Sequence, residues 1–351
     1  MVLRLLLVVF MLLQGVAAFA AGIDIQKFPL ERNEVKLHLQ RMQAESAAGK
    51  KQLLLVHGLT YSSHEFDVDA GDYSLARHFA SNGFSVWMLD IAGYGSSQEV
   101  EDGFMPNSDY AAEDIAAAAK LILETSGQKT LDVLGWSWGT VTGGRFAAKY
   151  PEMVRKLVLY APIVAGLGSY EVADAFHKNT WEHAAGDFQV KADSSIDYEI
   201  TEPCVVAVFQ SNSWRYDGKG SPNGGRRDLL VDGSQRLIPT AAIKAPTLLI
   251  VGDKDPYVSV ALCEEAKATL TAEGSQLKVI PGASHAMMME KPFYKEFRET
   301  VLEFLKWRRR PPCGACGFRS EADNAFGAGT SNPGPKALFI PFFIPPRYSF
   351  R

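Results

Sequence analysis

The segment that most constrains this chain is Gly135-Trp136-Ser137-Trp138-Gly139. It follows the apolar run 131–134 and opens a helix-like run over 141–149. Strand, tight turn with a central serine, then helix is the geometry of a nucleophile elbow. So sharp a reversal leaves almost no room for side chains two residues either side of the serine, where the glycines stand. The turn lifts the Ser137 hydroxyl clear of the sheet edge, where a substrate carbonyl can reach it. Five residues alone are a weak signal, so the surroundings must support them.

The surroundings are those of a parallel sheet. Apolar runs at 35–39, 52–56, 84–89, 131–134, 157–160, 247–251 and 276–280 read as strands. Helical stretches alternate with them at 73–80, 109–125, 141–149, 259–270 and 292–307. Near-continuous apolar strands between helices imply a mostly parallel sheet covered on both faces, an α/β fold. The rhythm pauses between 163 and 244, a stretch rich in aromatics (Tyr170, Phe176, Trp181, Phe188, Tyr198, Phe209, Trp214, Tyr216). Its length is too great for a plain loop, so it reads as a cap inserted over the site, with 218–225 as a mobile Gly- and Ser-rich turn. The body therefore divides into core (21–162), cap (163–244) and core again (245–310).

Both ends differ from this body. Arg4, the apolar stretch 5–13 and the small-residue run ending Ala18-Phe19-Ala20 match an export signal cleaved near Ala20. The apolar run falls short of the roughly 18–20 residues that span a bilayer, Gln14 interrupts it, and no cysteine marks a lipid anchor. The expected product is a periplasmic or secreted protein without a stable membrane anchor. Beyond Arg310, Pro, Gly, Ser and Asn dominate and the apolar patch 338–344 is broken by proline, so 311–351 reads as a disordered tail. A chain ending at Arg310 is expected to keep full activity.

The formal charge is −4, of which Arg4 contributes +1 and the tail +2, leaving −7 on residues 21–310. An acidic body argues against a nucleic-acid partner. Export permits disulfides, and Cys204 and Cys263 either pair or stand as free thiols. Cys313-x-x-Cys316 lacks the second pair or histidine that would complete a zinc site. No cofactor or metal is implied, and the sequence does not set the oligomeric state.

Over residues 35–308 the chain resembles the α/β-hydrolase superfamily. The resemblance rests on the elbow, His57-Gly58, Asp90-x-x-Gly93-x-Gly95, Gly252-x-x-Asp255 and the late His285, in family order. It implies a catalytic triad. Ser137 would be the nucleophile, a hydroxyl that needs an adjacent base. His285 would take its proton and return it to the leaving group. Asp255 would orient the imidazole, with Asp253 in the same turn bonding local backbone instead. The oxyanion hole would use the backbone N–H groups of Trp138 and Leu59, with Thr60 as neighbour. His57 would brace that loop.

Candidate pocket residues are Trp136, Thr60, His64, Glu65, Trp181 and Trp214. Trp136 and Trp138 either line an acyl pocket or pack beneath the turn. His64, Glu65 and Asp67 either meet substrate or are solvated loop residues. The expected activity is hydrolysis of a small-molecule ester or lactone through an acyl-enzyme. The body resembles secreted bacterial esterases, and the long aromatic cap suits a bulky substrate such as a macrolide lactone. Trp138-Gly139 also resembles proline iminopeptidases, which keeps a peptidase or amidase in view, beside a generic lipase or esterase. A non-catalytic binding protein would have lost a triad member, and here all are present.

Overall fold

The computed structural model describes residues 22–44 and 51–307. The expected export signal, the 311–351 tail and Cys313-x-x-Cys316 lie outside the described residues. Among them the strands, in chain order, are β1 (Ile23–Arg32), β2 (Val35–Ala44), β3 (Gln52–Val56), β4 (Ser85–Asp90), β5 (Leu131–Trp136), β6 (Val154–Tyr160), β7 (Phe176–His177), β8 (Ser221–Pro222), β9 (Thr247–Gly252) and β10 (Gln276–Ile280). The main sheet runs β1-β2-β4-β3-β5-β6-β9-β10, while β7 and β8 pair separately. From β4 to β10 every neighbouring pair is parallel. The β1–β2 and β2–β4 pairs are antiparallel. The central strands β3, β4 and β5 are buried along their whole length, which is why they read as unbroken apolar runs.

The helices are α1 (Leu75–Ser81), α2 (Ser108–Ser126), α3 (Trp138–Lys149), α4 (Trp181–Ala185), α5 (Pro203–Asp217), α6 (Gly224–Leu229), α7 (Val260–Thr269) and α8 (Tyr294–Lys306). Local chemistry sets their ends. Asn107 Oδ1 accepts the Asp109 and Tyr110 N–H groups at the start of α2, and Gly127 closes it at φ 66°. The connection from β3 runs to β4 on one side and that from the adjacent β5 runs to β6 on the other, which opens a crevice at the carboxyl ends of the strands.

Two expectations need correction. The sheet does not start at residue 35: β1 precedes it and β2 runs on to Ala44. β1 is an edge strand with most side chains exposed, so burial imposes no apolar run, and the edge tolerates Pro29. The stretch 218–225 is a turn only over its first residues, 218–220. Ser221 and Pro222 pair with His177 and Phe176, and Gly224 and Gly225 are buried at the start of α6. A Cβ on Gly225 would stand 2.4 Å from Trp138 Cε2, so this glycine serves close packing. Of the alternatives open for Cys204 and Cys263, the structure shows free thiols, with Cys204 exposed and Cys263 buried.

The segment between β6 and β9 holds α4, α5, α6 and the β7–β8 pair, and adds no strand to the main sheet.

Candidate active site

The elbow joins β5 to α3. A Cβ on Gly135 would lie 2.1 Å from Gly139 O, and one on Gly139 would lie 2.3 Å from Val56 O. Neither position admits a side chain without moving backbone. Ser137 sits between them at φ 56°, ψ −119°. For a residue other than glycine such a conformation is strained by about 1–3 kcal/mol and persists only where the surroundings hold it. They do: the Ser137 N–H donates to Tyr160 O at 3.0 Å, and its carbonyl accepts from Thr140 N at 2.9 Å.

Asp255 and His285 come from the turns after β9 and β10. Asp255 Oδ2 accepts from His285 Nδ1 at 2.8 Å, with both side chains buried. Its other oxygen, Oδ1, accepts from Tyr257 N and Val258 N at 2.9 and 3.2 Å. The carboxylate is thus fixed by backbone on one side and aims at the imidazole with the other. This places the proton on Nδ1 and leaves the Nε2 lone pair free to act as a base. Asp253 ties the two turns together, its Oδ1 accepting from Gly282 N at 2.7 Å. The His285 carbonyl is held by Trp136 Nε1 at 3.0 Å and Tyr160 Oη at 2.7 Å. Among the described residues, Ser137 Oγ and His285 Nε2 make no hydrogen bond. Such contacts commonly tighten only when substrate binds.

Burial disfavours the His285 imidazolium, but the charge and hydrogen bond of Asp255 outweigh it, and the pKa lies above the ordinary histidine value.

The loop after β3 lies against the serine. A Cβ on Gly58 would stand 3.2 Å from Ser137 Cβ. The Gly58 N–H donates to Glu65 Oε1 at 2.8 Å. Its carbonyl accepts from His57 Nδ1 at 2.8 Å, and His57 Nε2 accepts from Ile91 N at 3.1 Å. His57 is therefore a loop brace, kept neutral by burial. Leu59 is half-buried, and Thr60 takes φ 81°. Trp138 is the first residue of α3, where a backbone N–H has no intrahelical acceptor.

The pocket expectations fare unevenly. Trp136 and Trp138 are buried. Trp136 stacks on Tyr160 with ring centroids 5.5 Å apart, and Trp138 Nε1 donates to Ser108 Oγ at 2.9 Å. They pack beneath the turn rather than line a pocket. Glu65 is neither solvated nor turned to substrate: it is buried and spends its carboxylate on Gly58. His64 stacks on Tyr216 at 3.3 Å, and Asp67 pairs with Arg77. Trp181 and Trp214 stack on each other at 5.2 Å and remain exposed on the inserted segment. Thr60 Oγ1 accepts from Arg226 Nη2 at 2.8 Å.

Sequence reasoning missed Glu290, which accepts from Ser284 N beside His285 at 3.0 Å. A lone acid after Met287-Met288-Met289 was its signal. It also missed Asp187, Asp217 and Arg226, whose partners are set only by the fold of the inserted segment. His38, His64 and Asp90 bring ligand-type atoms within 4.8 Å of one another. The Asp90 oxygens already accept from Ser63 N and Ser96 N at 2.9 Å each, so the donor set suits a hydrogen-bonded network better than a metal. Two surface cavities of about 380 and 340 Å³ lie elsewhere, one around Tyr170 and Leu230, the other between Asp109 and Lys149. Neither includes a triad residue, so the chemistry locates the site better than cavity size does.

Comparison with known proteins agrees with this geometry. The family model described as serine aminopeptidase, S33, matches residues 47–292. A monoacylglycerol lipase of Mycolicibacterium smegmatis is 29% identical over 235 residues, 66% of this chain and 82% of the relative. Serine hydrolase BPHL of Mus musculus is 26% identical over 305 residues, 84% of this chain and 90% of the relative. Among solved structures, an esterase from Exiguobacterium antarcticum has a TM-score of 0.59 at 16% identity, covering 80% of this chain and 99% of its own. A monoacylglycerol lipase of Paleococcus ferrophilus has a TM-score of 0.54 at 18% identity, covering 81% and 98%. These two likenesses concern the fold. With the family match spanning both the elbow and the turns that carry Asp255 and His285, the chain belongs to the serine aminopeptidase, S33 family and is a serine hydrolase of the α/β-hydrolase fold, with a monoacylglycerol lipase and a serine hydrolase among its relatives.

Proposed function

We propose that the protein is a carboxylic-ester hydrolase that works through an acyl-enzyme. The observation that carries this reading is the buried Asp255–His285 pair at 2.8 Å, on the same sheet edge as the strained Ser137 turn. Ser137 Oγ attacks the ester carbonyl while its proton passes to His285 Nε2. The tetrahedral oxyanion is held by the Leu59 and Trp138 N–H groups. Its collapse breaks the bond to the alcohol oxygen, which takes the proton from His285. Water, deprotonated by the same imidazole, then releases the acid and frees Ser137. Asp255 stabilises the imidazolium throughout.

The substrate within this reading is a bulky, largely apolar ester, and a macrolide lactone is the specific proposal. The inserted segment, acting as a cap, supports it: Tyr170, Phe176, Trp181, Tyr198 and Trp214 expose aromatic surface there. In a lactone the leaving alcohol stays tethered, so the product is the ring-opened hydroxy acid, heavier by one water. Export directed by residues 1–20 belongs to the same proposal. A second reading, amide or peptide hydrolysis, is favoured by the family's description and by Asp187. Burial raises the pKa of that carboxyl, the charge of His285 opposes the rise, it forms no ion pair among the described residues, and an incoming substrate amine would favour its charged form.

The test is mass spectrometry of a macrolide, a monoacylglycerol, nitrophenyl esters and aminoacyl amides, each incubated with the protein and with Ser137→Ala. Serine-dependent ring opening of the macrolide supports the specific proposal. Cleavage of short esters or the acylglycerol alone leaves ester hydrolysis standing and removes the macrolide. Turnover confined to substrates with a free amine favours the second reading.

A further inference from the structure

Arg226 in α6 is a cation without an anionic partner among the described residues. Its Nη2 donates to Thr60 Oγ1 at 2.8 Å, and its Nη1 donates to Asn223 Oδ1. The aromatic groups around it are Tyr61, Tyr94, His177 and His183. Burial, with Arg226 adding to it, pushes His177 down to about 3 and His183 down to about 4, so both are neutral at pH 7. Burial also lowers the pKa of Arg226 itself, yet a guanidinium stays protonated in proteins. A half-buried guanidinium with no ion-pair partner is costly to desolvate, which invites a reason for its presence.

Its placement supplies one. Thr60, a β-branched residue at φ 81°, is a backbone outlier that needs holding. Its hydroxyl accepts from Arg226 and lies 3.3 Å from His183 Nε2. With His183 neutral, the hydroxyl donates to Nε2 while accepting from the guanidinium. Thr60 directly follows Leu59. On the other side, Gly225, the residue before Arg226, packs on the indole of Trp138. Arg226 therefore grips the loop of one oxyanion donor while its own chain rests on the residue that provides the other.

We propose that Arg226 is a positioning residue for the oxyanion hole. It holds Thr60 in its left-handed conformation, so that the Leu59 N–H points at the developing oxyanion, and it sets a positive charge behind that hole. The inserted segment then completes the catalytic apparatus as well as covering it. The inference rests on the ester-hydrolase reading above.

The experiment compares Arg226→Met, Arg226→Lys, Thr60→Ala and the double variant Arg226→Met/Thr60→Ala. It reads kcat and KM on 4-nitrophenyl butyrate, and inhibition by phenylboronic acid, which forms a tetrahedral anion on a serine. Arg226→Met is expected to lower kcat about 10- to 100-fold, less than the roughly 10²- to 10³-fold cost of deleting an oxyanion donor outright, with KM within about 3-fold. Phenylboronic acid affinity should fall by the same factor as kcat/KM. Arg226→Lys should recover a substantial part, and the double variant should be no worse than Arg226→Met. A rise in KM at unchanged kcat would make Arg226 a substrate-binding residue and overturn the proposal. So would losses that multiply in the double variant, or boronate affinity that does not follow kcat/KM. If Arg226→Met fails to fold, Thr60→Ala alone decides by the same kcat and boronate readouts. If a fluorophosphonate probe does not label Ser137 in the parent protein, the hydrolase reading itself fails, whatever the Arg226 variants do.

Discussion

His285 is subject to two opposed influences: burial favours the neutral ring, and Asp255 favours the imidazolium and wins. The sign for activity follows directly. The base must be neutral, so kcat/KM is lost as pH falls through a pKa raised above 6.5, and it is full above that pKa. Replacing Asp255 with Asn removes its charge and leaves burial opposed only by Asp187 and Glu290, the smaller raising influences. The acid limb of the pH–rate profile should then move to lower pH, while kcat at neutral pH drops about 10³- to 10⁴-fold. A profile of kcat/KM against pH for both proteins checks this; a limb that stays in place would mean that another group sets it. Ser137→Ala should lower kcat about 10⁴-fold or more and abolish labelling by a fluorophosphonate. At this scale the sequence was most informative. The roles assigned to Ser137, His285 and Asp255 need positions at strand ends, and the spacing of glycines and apolar runs marks those ends. Glu65 reads as a substrate contact or a solvated residue because nothing in His64-Glu65-Phe66 shows that the carboxylate turns inward to Gly58.

Among the elements, the elbow and the first hairpin make contrasting use of special backbone positions. At the elbow the requirement is space. Gly139→Val would drive a Cβ into Val56 O, 2.3 Å away, and neither partner is a flexible side chain. The expected outcome is a loss of about 3 kcal/mol or more, read as a lower denaturant midpoint, together with inactivation as Ser137 shifts. In the hairpin the requirement is conformation. Asn33 and Glu34 lie at φ 50° and 63° between β1 and β2, as in a type I′ turn, where Asn-Gly is preferred. Glu34→Gly removes a Cβ penalty that outweighs the added chain entropy, so it should stabilise by about 0.5–1 kcal/mol. Thermal denaturation would show a small rise in Tm, and a fall would mean that the turn does not hold this geometry. The contrast also explains what was legible. Buried parallel strands impose apolar runs that a reader can find, whereas β1 exposes most of its side chains and its turn lacks the usual glycine.

At the scale of the whole molecule the question is how firmly the inserted segment is joined to the catalytic loops. Its length and aromatic content were readable, but its contacts were not, because they join residues far apart in the chain. Asp217, at the end of α5, shows the joint most directly. Its Oδ2 accepts from Ser62 N at 3.0 Å and Ser62 Oγ at 2.8 Å, and its Oδ1 accepts from Gly95 N at 2.9 Å. Its carbonyl accepts from Asn179 Nδ2 at 2.6 Å. Ser62 lies two residues beyond Thr60, so one carboxylate bonds the segment to the loop that carries the proposed oxyanion donor. Asp217→Ala would strand the buried N–H and hydroxyl of Ser62 and the half-buried N–H of Gly95. At about 1–3 kcal/mol for each polar group left unpaired, the expected loss is about 2–6 kcal/mol, the serine hydroxyl being free to turn elsewhere. The variant should lose kcat as well as stability, because the loop beside Ser137 loses its anchor. A segment that merely hinged over the site would behave differently: activity per folded molecule would survive and substrate entry would quicken. Measuring urea unfolding beside kcat and KM for Asp217→Ala separates the two, since only an anchored segment links lost stability to lost turnover at an unchanged KM.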